Sequence, residues 1–189
     1  MVKVSILMAP GLEEVECLAV ADILRRGGVQ VELVSVSGER VVTGSHRIAT
    51  VTDRLIEECD FSESDVIFLP GGVPGVPNLA KHPLVAGVIQ KQAAAGKRLA
   101  AICAAPAILG KMGLFAHTKF TCYPGWQEGI DGIDGAEWTG DGVLTSGNLT
   151  TGRGLGFAVD FGLELLRVLL GEESAEKVKK EIQHPESVK

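Results

Sequence analysis

The sequence lacks any surplus of basic residues, and this bears directly on its partners. Lysine and arginine number 18 against 24 aspartate and glutamate residues, which gives a formal net charge of -6. Protein affinity for nucleic acids begins with the neutralisation of phosphates by basic side chains. The charge balance therefore argues against nucleic acid as a partner.

Long apolar runs and a basic leader are missing as well. No apolar stretch approaches the roughly 20 residues that a membrane-spanning helix needs. Met1 to Pro10 read as an apolar strand rather than as a secretion signal. We therefore expect no membrane partner and a cytoplasmic location.

Cysteine is scarce, and the four thiols are widely spaced: Cys17, Cys59, Cys103 and Cys122. Disulfides would require an oxidising compartment, so free thiols are the better prediction. The spacing of the cysteines and of His117 matches no zinc pattern. We therefore expect no metal site.

What the sequence does contain is the composition of an ordinary globular protein. Its 189 residues are 46% hydrophobic and 22% charged, which suits one compact core without subdivision. We predict a single domain over residues 1–189.

Strand-like and helical segments alternate along the chain. Strands are predicted at Val2 to Met8, Val29 to Val36, Val66 to Leu69 and Arg98 to Ile102. Helices are predicted at Glu13 to Arg26, Pro83 to Ala95, Phe157 to Leu170 and Ser174 to Glu181. Val41 to Val51 reads as a pair of short strands, and His184 to Lys189 as a frayed tail. The alternation predicts an α/β fold with a mainly parallel sheet.

One cysteine lies where chemistry is favoured. The segment Arg98-Leu-Ala-Ala-Ile-Cys103-Ala-Ala-Pro106 places a thiol between a buried strand and a helix that begins with proline. The amides of a helix start stabilise a thiolate, and the small residues after Cys103 permit a tight elbow. The alternative is that Cys103 is a small buried hydrophobic residue, as many free cysteines are.

A pair of glycines follows the neighbouring strand, in Leu69-Pro-Gly-Gly72. Glycines there let backbone N–H groups turn toward a ligand above the carboxyl edge of the sheet, where open α/β sheets bind their ligands. Gly71 and Gly72 are therefore candidates for an oxyanion hole. An ordinary turn that leaves a strand is the alternative.

Acidic residues follow the first strand. Glu13 and Glu14 suit a helix dipole, but Glu16 stands among Val15, Cys17 and Leu18. Those apolar neighbours predict a partly buried carboxyl group with a raised pKa. Such an acid beside a thiolate can donate or relay a proton.

Four motifs in one order carry a family resemblance. They are Ala9-Pro-Gly-Leu-Glu-Glu-Val-Glu16, Leu69-Pro-Gly-Gly72, Ala101-Ile-Cys-Ala-Ala-Pro106 and Leu144-Thr-Ser before a Gly-rich helix start. Over essentially its whole length the chain resembles the ThiJ/PfpI superfamily, in its parkinsonism-associated protein deglycase branch.

The resemblance implies a fold, an assembly and a site. The expected fold is a flavodoxin-like, class I glutamine amidotransferase-like three-layer sandwich, and the expected assembly is a homodimer. It implies that Cys103 is the nucleophile or redox thiol and Glu16 its proton partner. Gly71, Gly72 and Ala104 would contribute backbone groups to the pocket.

Three positions depart from relatives within the superfamily or align loosely with them. Ala104 stands where protease-like branches carry histidine after the cysteine, which disfavours peptidase activity. Tyr123 replaces a histidine near the pocket, so Glu16 must carry most of the proton transfer. His46 or Arg47 falls where a basic residue reaches the pocket of the second subunit.

The resemblance implies action on reactive carbonyls, either methylglyoxal in a glyoxalase-type reaction or early glycation adducts in a deglycase reaction, with a role in oxidative-stress protection. Such a reaction needs no cofactor, because a cysteine adds to the aldehyde directly. A non-catalytic redox sensor or chaperone would use the same oxidisable cysteine. The residue types alone leave both readings open.

Overall fold

The structure is a computed structural model that describes residues 1–187. Its strands are β1 (Lys3–Met8), β2 (Gln30–Ser35), β3 (Val41–Thr43), β4 (Ala49–Val51), β5 (Arg54–Leu55), β6 (Val66–Leu69), β7 (Arg98–Ile102), β8 (Lys119–Phe120), β9 (Glu137–Trp138), β10 (Val143–Ser146) and β11 (Leu149–Gly152). Its α-helices are α1 (Glu14–Arg26), α2 (Gly75–Lys81), α3 (Pro83–Ala94), α4 (Pro106–Lys111), α5 (Ala158–Leu170) and α6 (Glu172–Glu181).

A central sheet organises the chain, with strand order β10-β11-β7-β6-β1-β2-β5. Neighbouring strands are parallel except β10 and β11, which pair antiparallel. The chain leaves β1 for β2 on one side and later returns to β6 on the other. The strand order therefore reverses at β1 and β6, where open α/β sheets form ligand crevices.

Apolar side chains cover both faces of this sheet. One core lies between the sheet and α1, α5 and α6, and it includes Ile6, Leu24 and Phe161. The other lies under α2, α3 and α4 and includes Ile67 and Leu79. The predicted three-layer sandwich with a mainly parallel sheet is confirmed.

The first helix begins and ends as its sequence indicates. The side chain of Glu13 caps α1 by accepting the backbone N–H of Glu16 at 2.7 Å. Past the last helical residue, Gly28 adopts a φ of 84°, a left-handed conformation that costs glycine little. The cap places Glu16 in the first turn of α1.

Most of the predicted segments are confirmed, including the β3–β4 hairpin between Val41 and Val51. The sequence analysis missed α2 and the β10–β11 pair. The prediction of a frayed tail was wrong for residues 185–187, which form a 3₁₀ turn. His184 anchors this turn, since its Nε2 lies 3.0 Å from Asp160 Oδ1 on α5. The remainder of that predicted tail, residues 188–189, lies outside the described residues.

Candidate active site

The elbow after β7 presents the Cys103 thiol at the carboxyl edge of the sheet. Cys103 has a φ of 62°, which a residue with a Cβ adopts at a cost of about 1–2 kcal/mol. Two backbone bonds fix it: its N–H donates to the Gly152 carbonyl at 2.9 Å, and its carbonyl accepts the Tyr123 N–H at 2.8 Å. The half-buried thiol is therefore held in a strained, defined position, typical of functional sites.

The Glu16 carboxyl group is the immediate neighbour of this thiol. Its side chain is fully buried, and the two groups are hydrogen-bonded. Glu16 Oε2 accepts the N–H of Gly71 at 2.9 Å. Oε1 has no conventional hydrogen-bond partner within residues 1–187, so it is the oxygen free to carry a proton.

Burial controls the charge on Glu16. Removal from water raises the pKa of this carboxyl group to about 7, and the nearby Glu13 carboxylate adds to the effect. The hydrogen bonds from Cys103 and Gly71 act in the opposite direction. The raised pKa predicted from the apolar neighbours of Glu16 is confirmed, and the group exchanges its proton near neutral pH.

The prediction that the amides of a helix start would by themselves ionise Cys103 is wrong. Burial raises the pKa of this thiol to about 12, and the charge and hydrogen bond of the Glu16 carboxylate add to it. The N–H groups of Ala104 and Gly72 lower the pKa, but they do not outweigh these causes. The following helix, α4, begins only at Pro106 and spans six residues, which leaves a weak dipole.

The ionisation of Glu16 and that of Cys103 are coupled through their charges. When Glu16 is ionised, Cys103 stays a thiol; when Glu16 holds the proton, its charge no longer opposes ionisation of the sulfur. The N–H groups of Gly72 and Ala104 then face the thiolate. Ionisation of one group therefore disfavours ionisation of the other.

The two glycines after β6 differ in what they do. A Cβ on Gly71 would lie 2.5 Å from both the Cβ of Cys103 and Oε2 of Glu16. The Gly71 N–H is committed to Glu16 and is not free for an oxyanion, contrary to the expectation from the sequence. Gly72 has a φ of 97°, and its N–H turns toward the sulfur. Together, Gly72 and Ala104 supply the two backbone N–H groups near the Cys103 sulfur.

Tyr123 and His46 occupy different places. Tyr123 is bound to Cys103 through its backbone, and its exposed ring lies beside Gly154 at the rim of the site. His46 is exposed on the loop between β3 and β4, with its Nδ1 3.3 Å from Glu14 Oε2. Within one chain His46 therefore contacts Glu14, and its contact with a second subunit stays a prediction.

Glu14 is a residue that the sequence analysis undervalued. It was assigned only to the helix dipole, yet its side chain is buried and accepts the N–H of His46 at 2.8 Å and of Ile48 at 3.3 Å. These bonds lower the pKa of Glu14 against the effect of burial. Its position before the apolar Val15 gave no signal of this role, because its partners lie more than 30 residues away. Glu14 fixes the loop that carries His46.

One group of side chains could hold a metal ion. Ligand atoms of Glu13, Glu14 and His46 lie within 4.8 Å of one another. The carboxylates are already engaged, however: Glu13 caps α1, and Glu14 accepts loop N–H groups.

The helices of residues 1–187 were also compared with the length and hydropathy of membrane spans. None of them is long and apolar enough to cross a bilayer.

Comparisons with known proteins agree with this geometry. The sequence model of the DJ-1/PfpI family matches residues 2–168 of this chain. Protein dj-1beta of Drosophila melanogaster is 33% identical over 176 residues, which cover 93% of each chain. A Caenorhabditis elegans protein named a glutathione-independent glyoxalase is 31% identical over 176 residues, covering 93% of this chain and 92% of that one.

A solved structure shows the same fold. Toxoplasma gondii DJ-1, described as oxidized, superposes with a TM-score of 0.91 at 31% identity, covering 97% of this chain and 98% of that one. The family model and these relatives span nearly the whole sequence, as the motifs around Glu16, Gly71 and Cys103 indicated. This chain belongs to the DJ-1/PfpI family.

Proposed function

We propose that this chain is a cofactor-free enzyme of the glyoxalase type, which converts a small dicarbonyl such as methylglyoxal into a hydroxy acid. The observation that carries the proposal is the placement of the buried Glu16 carboxyl group beside Cys103, with the N–H groups of Gly72 and Ala104 directed at the sulfur. A nucleophile, a proton carrier and an oxyanion site are the parts that such a reaction requires.

The first step forms a carbon–sulfur bond. With the shared proton on Glu16, the Cys103 thiolate attacks the aldehyde carbon, and the carbonyl electron pair moves to oxygen. The N–H groups of Gly72 and Ala104 stabilise that oxyanion. Glu16 then gives its proton to the oxygen, which leaves a hemithioacetal and an ionised carboxylate.

The second step moves hydrogen within the substrate. The Glu16 carboxylate takes the proton from the former aldehyde carbon and returns it to the adjacent carbon, while the hydroxyl proton passes from the first oxygen to the second. The product is a thioester of a hydroxy acid. Water hydrolyses it and frees the Cys103 thiol, so the net reaction adds one water and needs no oxidant.

The named activity of the Caenorhabditis elegans relative supports this reaction class. Early glycation adducts are carbonyl addition products, so a deglycase reaction would use the same thiol and the same proton carrier. We include it as an extension of the proposal. Peptidase activity is not part of it, because Ala104 stands in the place of an adjacent histidine.

The test is methylglyoxal consumption by the purified protein, with hydroxy acid measured as the product. Cys103→Ser and Glu16→Gln should each lower turnover by at least about 100-fold. Cys59→Ser is the matched control, because Cys59 is a half-buried thiol outside the site and its loss should leave turnover unchanged. Turnover that survives Cys103→Ser would overturn the proposal.

A redox sensor is the second candidate, with a role in oxidative-stress protection. It is favoured by the half-buried position of the Cys103 thiol and by the description of Toxoplasma gondii DJ-1 as oxidized. Peroxide would convert the thiolate to sulfenic and then sulfinic acid. A protein that consumes no dicarbonyl, but changes its partner binding once Cys103 is oxidised, would establish this function instead.

The proposal includes a homodimer and a cytoplasmic location. Apolar side chains are exposed on α1, at Val15 and Leu18, and on the β3–β4 hairpin, at Ile48 and Val51. A second copy would cover these patches and bring His46 near its pocket. A molar mass of one chain, measured by light scattering, would count against the dimer.

The proposed location rests on the cysteines. All four are free thiols, which suits a reducing compartment.

A further inference from the structure

The residue that caps α1 is an unusual choice for a helix cap. Glu13 holds the N-cap position, and its Oε2 accepts the N–H of Glu16, the third helical residue, at 2.7 Å. Serine, threonine, aspartate and asparagine are the preferred caps, and a glutamate side chain loses more rotational freedom when it is fixed. Capping alone therefore does not account for glutamate here. The mechanism proposed for Cys103 gives Glu13 no part.

The cap is one of three hydrogen bonds that form a closed ring. The N–H of Glu16 donates to Glu13 Oε2, the N–H of Gly71 donates to Glu16 Oε2 at 2.9 Å, and the N–H of Glu13 donates to the Gly71 carbonyl at 2.9 Å. In a capping box the carboxylate of the third residue would accept the N–H of the cap directly. Here Gly71 stands between the two groups. The ring therefore ties the end of β6 to the first turn of α1.

Glu13 also touches the second glycine of this turn. A Cβ on Gly72 would collide with the backbone nitrogen of Glu13, so the main chains of the two residues are in close contact. Gly72 has a φ of 97°, and its N–H turns toward the Cys103 sulfur. The orientation of that N–H therefore depends on where Glu13 lies.

The charge of Glu13 acts on the same carboxyl group that its side chain caps. Glu13 is only 8% exposed, so water and salt screen its charge weakly. Burial is the main cause of the raised pKa of Glu16, and the charge of Glu13 raises it further. A glutamine in place of Glu13 would keep an acceptor for the Glu16 N–H and remove this charge. The geometric and the electrostatic contributions of Glu13 can thus be separated.

We propose that Glu13 is a positioning residue for the Cys103 site, whose carboxylate and backbone N–H together hold Glu16 and the Gly71–Gly72 turn beside the thiol. This inference rests on the function proposed for Cys103 and Glu16. Glu13 does not contact the substrate, and it acts through Glu16 and Gly72. Its charge opposes ionisation of Glu16, so its removal lowers the pH at which Glu16 loses its proton.

The other titratable groups around this pair must be separated from the effect. They are Cys17 and Glu14 on α1, Cys103 on the elbow and His46 on the loop between β3 and β4. Burial, followed by the charges of Glu13 and Glu16, raises the pKa of Cys17, so Cys17 stays a thiol. His46 is exposed, and its Nδ1 lies 4.0 Å from Glu13 Oε1. The effect of Glu13 should therefore also be measured in a His46→Asn background.

The first experiment is the alkylation rate of Cys103 as a function of pH in Glu13→Gln, with the Cys103 peptide quantified by mass spectrometry. The inflection near pH 7 should persist but move to lower pH by at least about 0.3 units. The same shift should appear between His46→Asn and the double variant. An unmoved inflection would overturn the proposal, and so would an unmodified protein whose Cys103 shows no inflection.

The second experiment compares turnover of methylglyoxal in Glu13→Ala and Glu13→Gln at about pH 8, above the inflection of each protein. Glu13→Ala loses the acceptor for the Glu16 N–H, and its kcat/KM should fall at least about tenfold. Glu13→Gln keeps an acceptor and should stay within about threefold of the unmodified protein. Full turnover in Glu13→Ala, or equal losses in the two variants, would contradict the positioning role.

Asp60→Asn is the matched control for the loss of a capping charge. The Asp60 side chain caps the 3₁₀ turn Phe61–Glu63 by accepting the N–H of Ser62 at 2.9 Å, outside the Cys103 site. Its alkylation profile and its turnover should remain those of the unmodified protein. An unmodified protein without methylglyoxal turnover would refute the proposed enzyme, whereas the alkylation profile of Glu13→Gln would still decide the role of Glu13.

Discussion

The backbone N–H of Gly71 donates to Oε2 of Glu16 at 2.9 Å, and this bond joins the end of β6 to the first turn of α1. It fixes one carboxyl oxygen, while the other, Oε1, has no hydrogen-bond partner within residues 1–187. A backbone group therefore orients the Glu16 carboxyl group.

Substitution of Gly71 by alanine should misplace this carboxyl group. The new Cβ would lie 2.5 Å from Glu16 Oε2 and from the Cβ of Cys103, so one of them must move. We expect dicarbonyl turnover to fall at least about tenfold and stability to fall by about 1–3 kcal/mol. Steady-state kinetics and urea unfolding measure the two effects.

Gly156→Ala is the control for that substitution, because a Cβ at Gly156 has no neighbour within 4 Å. Its turnover and stability should remain those of the unmodified protein. A Gly71→Ala protein with full activity would show that the close contact is unimportant.

The pH dependence of turnover follows from the shared proton. Below about 7, the pKa of Glu16, both groups are protonated and no thiolate exists; above it, one proton remains for the pair. The value of kcat/KM should rise about tenfold for each pH unit below this pKa and then level off. A profile that is flat through neutral pH would contradict this prediction.

The same carboxyl group should make stability depend on pH. Its pKa rises from 4.5 to about 7 on folding, so the unfolded chain releases the proton first as pH increases. The contribution of Glu16 to the free energy of unfolding is fully present below pH 4.5 and is lost as the pH rises through 7. This contribution is at most about 3 kcal/mol. Glu16→Gln lacks this dependence, so its free energy of unfolding relative to the unmodified protein should increase over that window. Parallel urea titrations on both sides of the window provide the measurement.

Glu14 provides a test of the loop that carries His46. Glu14→Ala removes the acceptor for the N–H groups of His46 and Ile48, which should cost about 1–3 kcal/mol and loosen residues 44–48. Hydrogen exchange at these amides should accelerate in the variant. Protection that stays unchanged would mean that other contacts hold the loop.

The sequence predicted those features that depend on local pattern. The alternation of apolar strands with helices gave the α/β sandwich, and Gly28 marked the end of α1. The small residues after Cys103 indicated the elbow, which the φ of 62° confirms. Apolar neighbours were sufficient to predict the raised pKa of Glu16, because burial is its main cause.

Features that depend on distant partners could not be predicted in this way. The N–H of Gly71 points to a carboxylate 55 residues earlier, and Glu14 binds a loop more than 30 residues later. The pKa of Cys103 was assigned the wrong direction, because its burial and the charge of Glu16 outweigh the local amides. Local sequence carries no record of those distances.

The most direct test of the central claim is the alkylation rate of Cys103 as a function of pH, in the unmodified protein and in Glu16→Gln. If Glu16 and Cys103 share a proton, the rate in the unmodified protein rises up to about pH 7 and then levels off. In Glu16→Gln this inflection should disappear, because the carboxyl group that titrates there is gone. Identical profiles in the two proteins would contradict the claim.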